Sequence, residues 1–414
     1  MRILWIKTEL LHPVDKGGRI RTYQMLRSLV RHHHVTYLCL DDGDSSSDAV
    51  RLASEYCNEL IRIPFRTNAK TSFSYKLELL ANLCSRLPFA VSRYRSRAMR
   101  GRVASEAAKA DLVVCDFLFP SQNVPPGLRS PVVLFQHNVE ATIWQRRASV
   151  PQNLLLRIYM REQWRRMKRF ERSECRRFDH VVAVSDTDAD QFRRNYGVSS
   201  VSSVHTGVDV EYFVALEHRT PGTRELIFIG SMDWMPNEDG IRWFVTEVLG
   251  RLRELVPDVR LTIVGRSPSQ GVRQLASSSS GIEVTGTVPD VRPYLARGAV
   301  CIVPLRVGGG TRLKIYEAMA MGIPLVSTSI GAEGLPIHHN EQLLIADSPA
   351  TQAAAIADLL LNPARAESLA ASARKFVMQH CSWDAVALDF LNQCNSLPST
   401  GASTPNISNK ELLA

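Results

Sequence analysis

Short apolar runs recur along this chain at spacings that leave room for a helix between most of them. In the first half they occupy residues 3–6, 35–40, 60–63, 112–115, 132–135 and 181–184. In the second half they occupy 226–229, 261–264, 282–285, 299–305, 325–328 and 343–345. Runs of this length and branching suit strands buried on both faces, and their alternation with helix-length segments predicts parallel sheets covered by helices. The rhythm is interrupted at residues 205–225, HTGVDVEYFVALEHRTPGTRE, where turn residues and a Pro-Gly pair precede a new strand. With 414 residues, 45% of them hydrophobic, the chain exceeds what one core supports. The expectation is an α/β protein with an N-terminal domain over 1–215 and a second over 216–382. A last helical pattern starts at Trp383 and covers 383–395, and a Ser/Pro/Thr-rich tail over 396–414 is expected to be disordered.

Eight cysteines are scattered without a CxxC pair, and Cys39, Cys115 and Cys301 fall within apolar runs. They read as buried thiols of a reducing compartment, with neither a disulfide framework nor a zinc site. The opening MRILWIKTEL has only four consecutive apolar residues before Lys7, too few for a signal sequence, and no stretch nears the ~20 needed to span a bilayer. A cytoplasmic location follows, at most resting on the inner face of a membrane. The net charge is +9, and residues 157–177 alone hold nine basic and three acidic side chains. That segment reads as a long helix with Leu156, Met160, Trp164, Met167 and Phe170 as an apolar stripe. Peripheral membrane contact is one reading, and packing of the stripe on its own domain with arginines in water is the other. No nucleic-acid reading module is recognisable in it.

The passage RVGGGTRLKIYEAMAMGIP, residues 306–324, follows the fourth apolar run of the second half. Gly308, Gly309 and Gly310 form a loop, Thr311 is an N-cap, and Gly322 with Pro324 supplies the stop. A strand, a glycine loop and a helix start together leave backbone N–H groups unpaired at an electropositive end, which is an anion site. Arg312 and Lys314 lie in the first turn, where a cation opposes the macrodipole by roughly 0.3 to 1 kcal/mol. A bound diphosphate reverses that sign, each charged contact contributing about 1.5 to 3 kcal/mol. Glu317, one turn on, can reach hydroxyls beside the phosphates. The alternative is a Lys314–Glu317 surface pair worth tenths of a kcal/mol.

Other candidates stand at strand ends. Gly17 and Gly18 close a loop before a helical pattern, His137 directly follows the fifth run, and Gly230, Gly265 and Gly286 each stand just past a strand of the second half. As a lone histidine, His137 could equally be structural. Asp290 reads as a helix cap.

The segment GGGTRLKIYEAMAMGIPLVST resembles the donor-site segment of GT-B glycosyltransferases, in particular the retaining glycosyltransferase family 4 and its exopolysaccharide-associated branch. PVDKGGRIRTYQMLRSL, FQHNVEA, VAVSDTDA, HTGVDVEYF and IGSMDWMPNEDG resemble further landmarks in the same order. The resemblance implies two Rossmann-like parallel-sheet domains facing across a cleft, with the closing helix packing back on the first. It implies a nucleotide-diphosphate sugar as donor, a glycan or lipid-linked acceptor, and no metal or other cofactor. Carried over residue by residue, Glu317 corresponds to the second carboxylate of the Glu-x7-Glu signature, which binds ribose. Gly310, Thr311 and Arg312 correspond to the sugar-holding loop, Leu313 to a phosphate-binding backbone position, and Val288 after Gly286 to the base-reading segment. Gly18 corresponds to the glycine that approaches the diphosphate, and His137 to the active-site histidine.

Two departures stand out. The first signature carboxylate is replaced by Gly309, and the segment 230–240 carries Ser231, Met232, Glu238 and Asp239 where family members place an Arg and a Lys that hold the diphosphate. The cationic role then passes to Arg312 and Lys314. A nucleotide-sugar epimerase of the same fold and a non-catalytic nucleotide- or membrane-binding scaffold are the alternatives.

Overall fold

The computed structural model describes residues 1–14, 17–43, 46–68, 71–149, 154–214, 223–307 and 313–397. The chain divides into two compact units, the first comprising Met1–His205 and the residues from Ala387, the second Thr206–Val386.

In the first unit seven parallel strands, β1 (Arg2–Lys7), β2 (His34–Asp41), β3 (Glu59–Pro64), β4 (Leu112–Asp116), β5 (Val132–Gln136), β6 (His180–Ala183) and β7 (Val201–Ser203), lie in the order β3-β2-β1-β4-β5-β6-β7. Six of the strands match expected runs. The edge strand β7, VSS, is too short and polar to stand out from a loop. The helices used below are α1 (Gly17–Leu29), α2 (Phe73–Asn82), α3 (Arg97–Ala107), α4 (Glu140–Ser149), α5 (Leu154–Arg177) and α6 (Asp186–Tyr196). Successive side chains of a strand point to opposite faces. Leu4, Ile6, Val113, Cys115 and Leu134 accordingly meet Met99 and Val103 of α3 and Phe192 of α6 on one face. Trp5 and Phe135 point the other way, against Phe390 of the last helix, with Trp5–Phe390 ring centroids 5.8 Å apart.

The second unit holds β8 (Glu225–Ile229), β9 (Arg260–Val264), β10 (Ile282–Gly286), β11 (Val300–Val303), β12 (Leu325–Ser327) and β13 (Leu344–Ile345), all parallel in the order β10-β9-β8-β11-β12-β13. Its helices include α7 (Met235–Trp243), α8 (Leu313–Ala320), α9 (Pro349–Leu361) and α10 (Pro363–Phe376); α11 (Trp383–Asn395) follows. Leu226, Phe228, Ile263 and Ile302 pack with Ile241 and Ile356, while Ile227, Cys301 and Val303 pack on the other face with Ile315 and Met319 of α8.

Both strand orders reverse direction once, between β1 and β4 and between β8 and β11. Loops leaving the carboxyl ends at such a reversal part to opposite faces and leave a crevice, where doubly wound sheets bind ligands.

On the long basic helix, part of the apolar stripe is packed within its own unit. Met167 is fully buried against Val91 and Leu118 with Trp144 and Phe170 beside them, so this part of the stripe belongs to the core of the unit. Seven of the cysteines are buried, and Cys84 is exposed.

Candidate functional site

In the first unit the reversal carries a buried polar cluster. Lys7 ends β1 and Asp116 ends β4, and they are 3% and 0% exposed. Asp116 Oδ2 accepts from Trp5 Nε1 at 2.9 Å and from Thr22 Oγ1 at 2.6 Å, with Lys7 Nζ at 2.9 Å. Lys7 also donates to Thr22 Oγ1 at 3.0 Å. Burial favours the neutral acid, but Lys7 and then His137 outweigh it and hold the Asp116 carboxyl well below the usual range.

His137 follows β5, with Nε2 2.9 Å from Asp116 Oδ1. Burial pushes its pKa down to about 4 against the pull of Asp116, so the ring is neutral at physiological pH. The carboxylate 2.9 Å from Nε2 favours the tautomer with the proton on that nitrogen, which leaves Nδ1 as an acceptor. Nδ1 lies toward Gly18, where a Cβ would come within 3.8 Å of it and 3.2 Å of the Phe117 ring. Phe117 stacks on His137 at 4.3 Å and holds a left-handed backbone, φ 81°, uncommon for a bulky residue and typical of strained positions beside ligand sites. Arg21 on α1 is a second buried cation, lowered to about 10 by burial with Asp116 and Asp188 opposing.

The loop bearing His137 is fixed from below. Glu171 of α5, fully buried, accepts from the backbone N–H of Glu140 at 2.7 Å and of Ala141 at 2.9 Å, and from Tyr196 Oη at 2.7 Å. It thereby caps α4 three residues past His137. Burial raises this carboxyl to about 7 in spite of those three donors.

In the second unit Lys314, in the first turn of α8, turns inward. Its Nζ donates to Asn237 Oδ1 at 2.8 Å and lies 4.6 Å from the centre of the Phe228 ring. A Cβ on Gly230 would fall 2.8 Å from that Nζ and 2.6 Å from Asn237 Nδ2, so the glycine after β8 makes room for both side chains. Lys314 thus forms no surface pair with Glu317. The Glu317 carboxyl is partly buried, and among the described residues nothing donates to it or pairs with it. Burial raises it to about 7, opposed by Lys314.

The other two glycines serve different ends. A Cβ on Gly265 would strike the Gly230 carbonyl at 1.8 Å, so its place is dictated by the close approach of two strand ends. Gly286 has φ 73° and open space, a turn that an L side chain resists, and Val288 lies two residues on in the same loop. Leu313 opens α8. Gly308, Gly309, Gly310, Thr311 and Arg312 lie outside the described residues, as does the tail from 398.

The two carboxylates standing where a diphosphate-binding cation was expected are both engaged. Asp239 takes Arg306 in a two-pronged pair at 2.6 and 3.0 Å, and Glu238 accepts from Ser269 Oγ at 2.7 Å. Arg266, beyond Gly265, donates through Nε to Ser231 Oγ at 2.7 Å, which returns a cation to the turn after β8 from the neighbouring strand.

Two family models match most of the chain between them, "Glycosyltransferase Family 4" over residues 16–212 and "Glycosyl transferases group 1" over residues 223–362. The fold resembles sucrose-phosphate synthase from Thermosynechococcus elongatus, with a TM-score of 0.63 at 18% identity over 96% of this chain and 99% of that one. It also resembles Anabaena HepE in complex with UDP, with a TM-score of 0.60 at 13% identity over 96% of this chain and 100% of that one. The chain is a GT-B glycosyltransferase. An uncharacterised 44.6 kDa protein in the cps region of Klebsiella pneumoniae is 22% identical to this transferase over 92% of its length and 96% of its own. Among the described residues of the transferase, no helix is long and apolar enough to cross a membrane.

Sequence reasoning did not single out Lys7, Thr22, Asp116, Asn237 or Arg266. Lys7 and Asp116 did carry a signal, since each is a charged residue directly ending a buried apolar run. Asn237 had none, because its relevance depends on Lys314, 77 positions away.

Proposed function

We propose that the enzyme is a retaining, metal-independent transferase that moves a sugar from a nucleotide-diphosphate sugar to a hydroxyl of a glycan or lipid-linked acceptor in polysaccharide biosynthesis. The observation that carries this reading is the inward Lys314 at the start of α8, with Glu317 one turn beyond, to which nothing donates among the described residues. A cation beside helix N–H groups suits a diphosphate, and a carboxylate lacking donors suits ribose hydroxyls. The UDP held by Anabaena HepE and the cps-region relative are consistent with the donor class and the pathway.

In transfer, the bond from the anomeric carbon to the diphosphate oxygen breaks while the acceptor oxygen bonds to that carbon on the same face. The acceptor proton passes to the departing phosphate oxygen. Lys314, with Arg312 of the same segment, takes the charge that accumulates on the diphosphate, the part a divalent cation plays elsewhere. The backbone from Gly309 to Leu313 holds sugar and phosphate, Gly286 and Val288 face the base, and Gly230 leaves Lys314 its space. Gly18 lets the chain approach the diphosphate, and neutral His137 accepts a sugar hydroxyl through Nδ1.

Calorimetry of UDP, GDP and ADP on the wild type and on Lys314→Ala tests this. One diphosphate should bind, and the variant should lose about 1.5 to 3 kcal/mol, roughly 10- to 150-fold in affinity. Equal affinity in the variant would remove Lys314 from the site. Donor consumption without an acceptor, giving free sugar or its epimer, would favour the epimerase.

A further inference from the structure

Arg21 stands on the inward face of α1, three residues past Gly18 and next to Thr22, and it is 9% exposed. A guanidinium carries five N–H donors in a planar fork. Among the described residues no group accepts from that of Arg21 and no carboxylate forms an ion pair with it. Arginine is rarely buried without a partner, because a charge taken out of water needs one.

The carboxylates near it are committed or out of reach. Asp116 acts on Arg21 through space, yet its Oδ2 takes Trp5, Lys7 and Thr22 and its Oδ1 faces His137. Asp188, partly buried in the first turn of α6, also acts on Arg21 without coming within ion-pair distance. Lys7 and Asp116 balance each other, so one positive charge is left over at the carboxyl end of this sheet. The first turn of α1 brings no acidic side chain to oppose it, and the positive end of that helix adds to the same field.

The position of this charge gives it a use. Gly18 and Arg21 are neighbours at i and i+3 on α1, and Gly18 lies toward Nδ1 of His137. Arg21 also acts electrostatically on the His137 ring. A group that accepts from Arg21 is therefore held on the side of the crevice where the histidine stands.

We infer that Arg21 binds an oxyanion of the acceptor, the carboxylate of an acidic sugar or the phosphate ester of a sugar or lipid. The planar fork suits either anion in a two-pronged bond. A neutral acceptor would leave the buried charge uncompensated. The donor diphosphate has cations of its own in Lys314 and Arg312, which leaves Arg21 to the acceptor. The inference rests on the transfer reading above and deepens it by giving the acceptor a negative charge.

Calorimetry on the wild type saturated with a nucleoside diphosphate should compare methyl glucuronide, glucose 1-phosphate and methyl glucoside. At least one charged sugar should bind at millimolar concentration, and the neutral glucoside should bind about tenfold more weakly or worse. Arg21→Gln should weaken the charged sugar about 10- to 150-fold and keep its affinity for the diphosphate. Arg21→Lys, which retains the charge and loses the fork, should fall between the two. A thermal melt checks the fold of each variant, and the lysine variant carries the comparison where the glutamine one does not fold. Binding of the glucuronide assigns a carboxylate and binding of glucose 1-phosphate a phosphate ester, and either supports the inference. It is overturned if no charged sugar binds, if the glucoside binds as tightly, or if Arg21→Gln binds all three sugars like the wild type. A loss of diphosphate affinity in Arg21→Gln as large as that in Lys314→Ala would assign Arg21 to the donor and leave the transfer reading standing. If no diphosphate binds the wild type, it is the transfer reading that fails. The same sugar titrations without nucleotide then decide whether Arg21 holds an oxyanion.

Discussion

Asp116 shows how one residue can hold a buried polar cluster together. Its carboxylate balances Lys7, orients His137 and binds the Trp5 indole, all nearly without solvent. Asp116→Asn leaves an ammonium buried without its counter-charge, and urea denaturation should show a loss of about 3 to 5 kcal/mol. Glu317 is the opposite case, a carboxyl held in waiting. Its folded pKa is raised from 4.5 to about 7 by burial. The folded state therefore binds the proton more tightly than the unfolded one. The associated stability is fully present below pH 4.5 and is lost as pH rises to 7, by at most about 3 kcal/mol. Glu317→Gln should flatten the stability profile over that window, and its difference from the wild type separates this group from Glu171, which titrates in the same range. A bound nucleoside diphosphate should shift the Glu317 titration downward, because ribose hydroxyls donate to the ionised form.

Among the elements, the start of α4 matters most for the first unit, since it fixes the residues just after His137. Both amides are capped from α5 by the two oxygens of Glu171. Glu171→Gln keeps one acceptor oxygen and should destabilise the fold by about 1 to 2 kcal/mol. Because it acts through position, turnover should fall with little change in nucleotide affinity, a split that steady-state kinetics and calorimetry can show. Helix boundaries such as that of α8 were legible from Gly322 and Pro324. The orientation of α2 was not. FSYKLELLAN offers Tyr75 and Leu79 on one side and Phe73, Leu77 and Leu80 on the other. Periodicity reports that a helix has an apolar side, but it does not say which side the domain covers.

At the scale of the molecule, the same topological device occurs in each unit, a strand order that reverses once with polar groups gathered at the reversal. Hydrogen exchange at saturation with whichever of UDP, GDP and ADP binds should show protection gathered after β8 and in the first turn of α8, with no change along β2 and β3. At a hundredfold excess over Kd, melting should rise by the equivalent of about 2.7 kcal/mol. Protection spread evenly over both sheets would contradict a donor site built at the β8–β11 reversal. Taken alone, the amino-acid sequence determined the two series of buried strands, because runs of branched apolar residues at helix-wide spacing have few other ways to leave water. It also determined the helix from Leu313 to Ala320 and its stop at Gly322 and Pro324, whose physics is local. The partners of the charged groups were decided only by tertiary structure. Lys7 meets Asp116 across 109 positions, Lys314 chooses Asn237 over Glu317, and Asp239 is neutralised by Arg306. Charge pairing depends on distance in space and on exclusion of water, and neither is encoded in the spacing of residues along the chain.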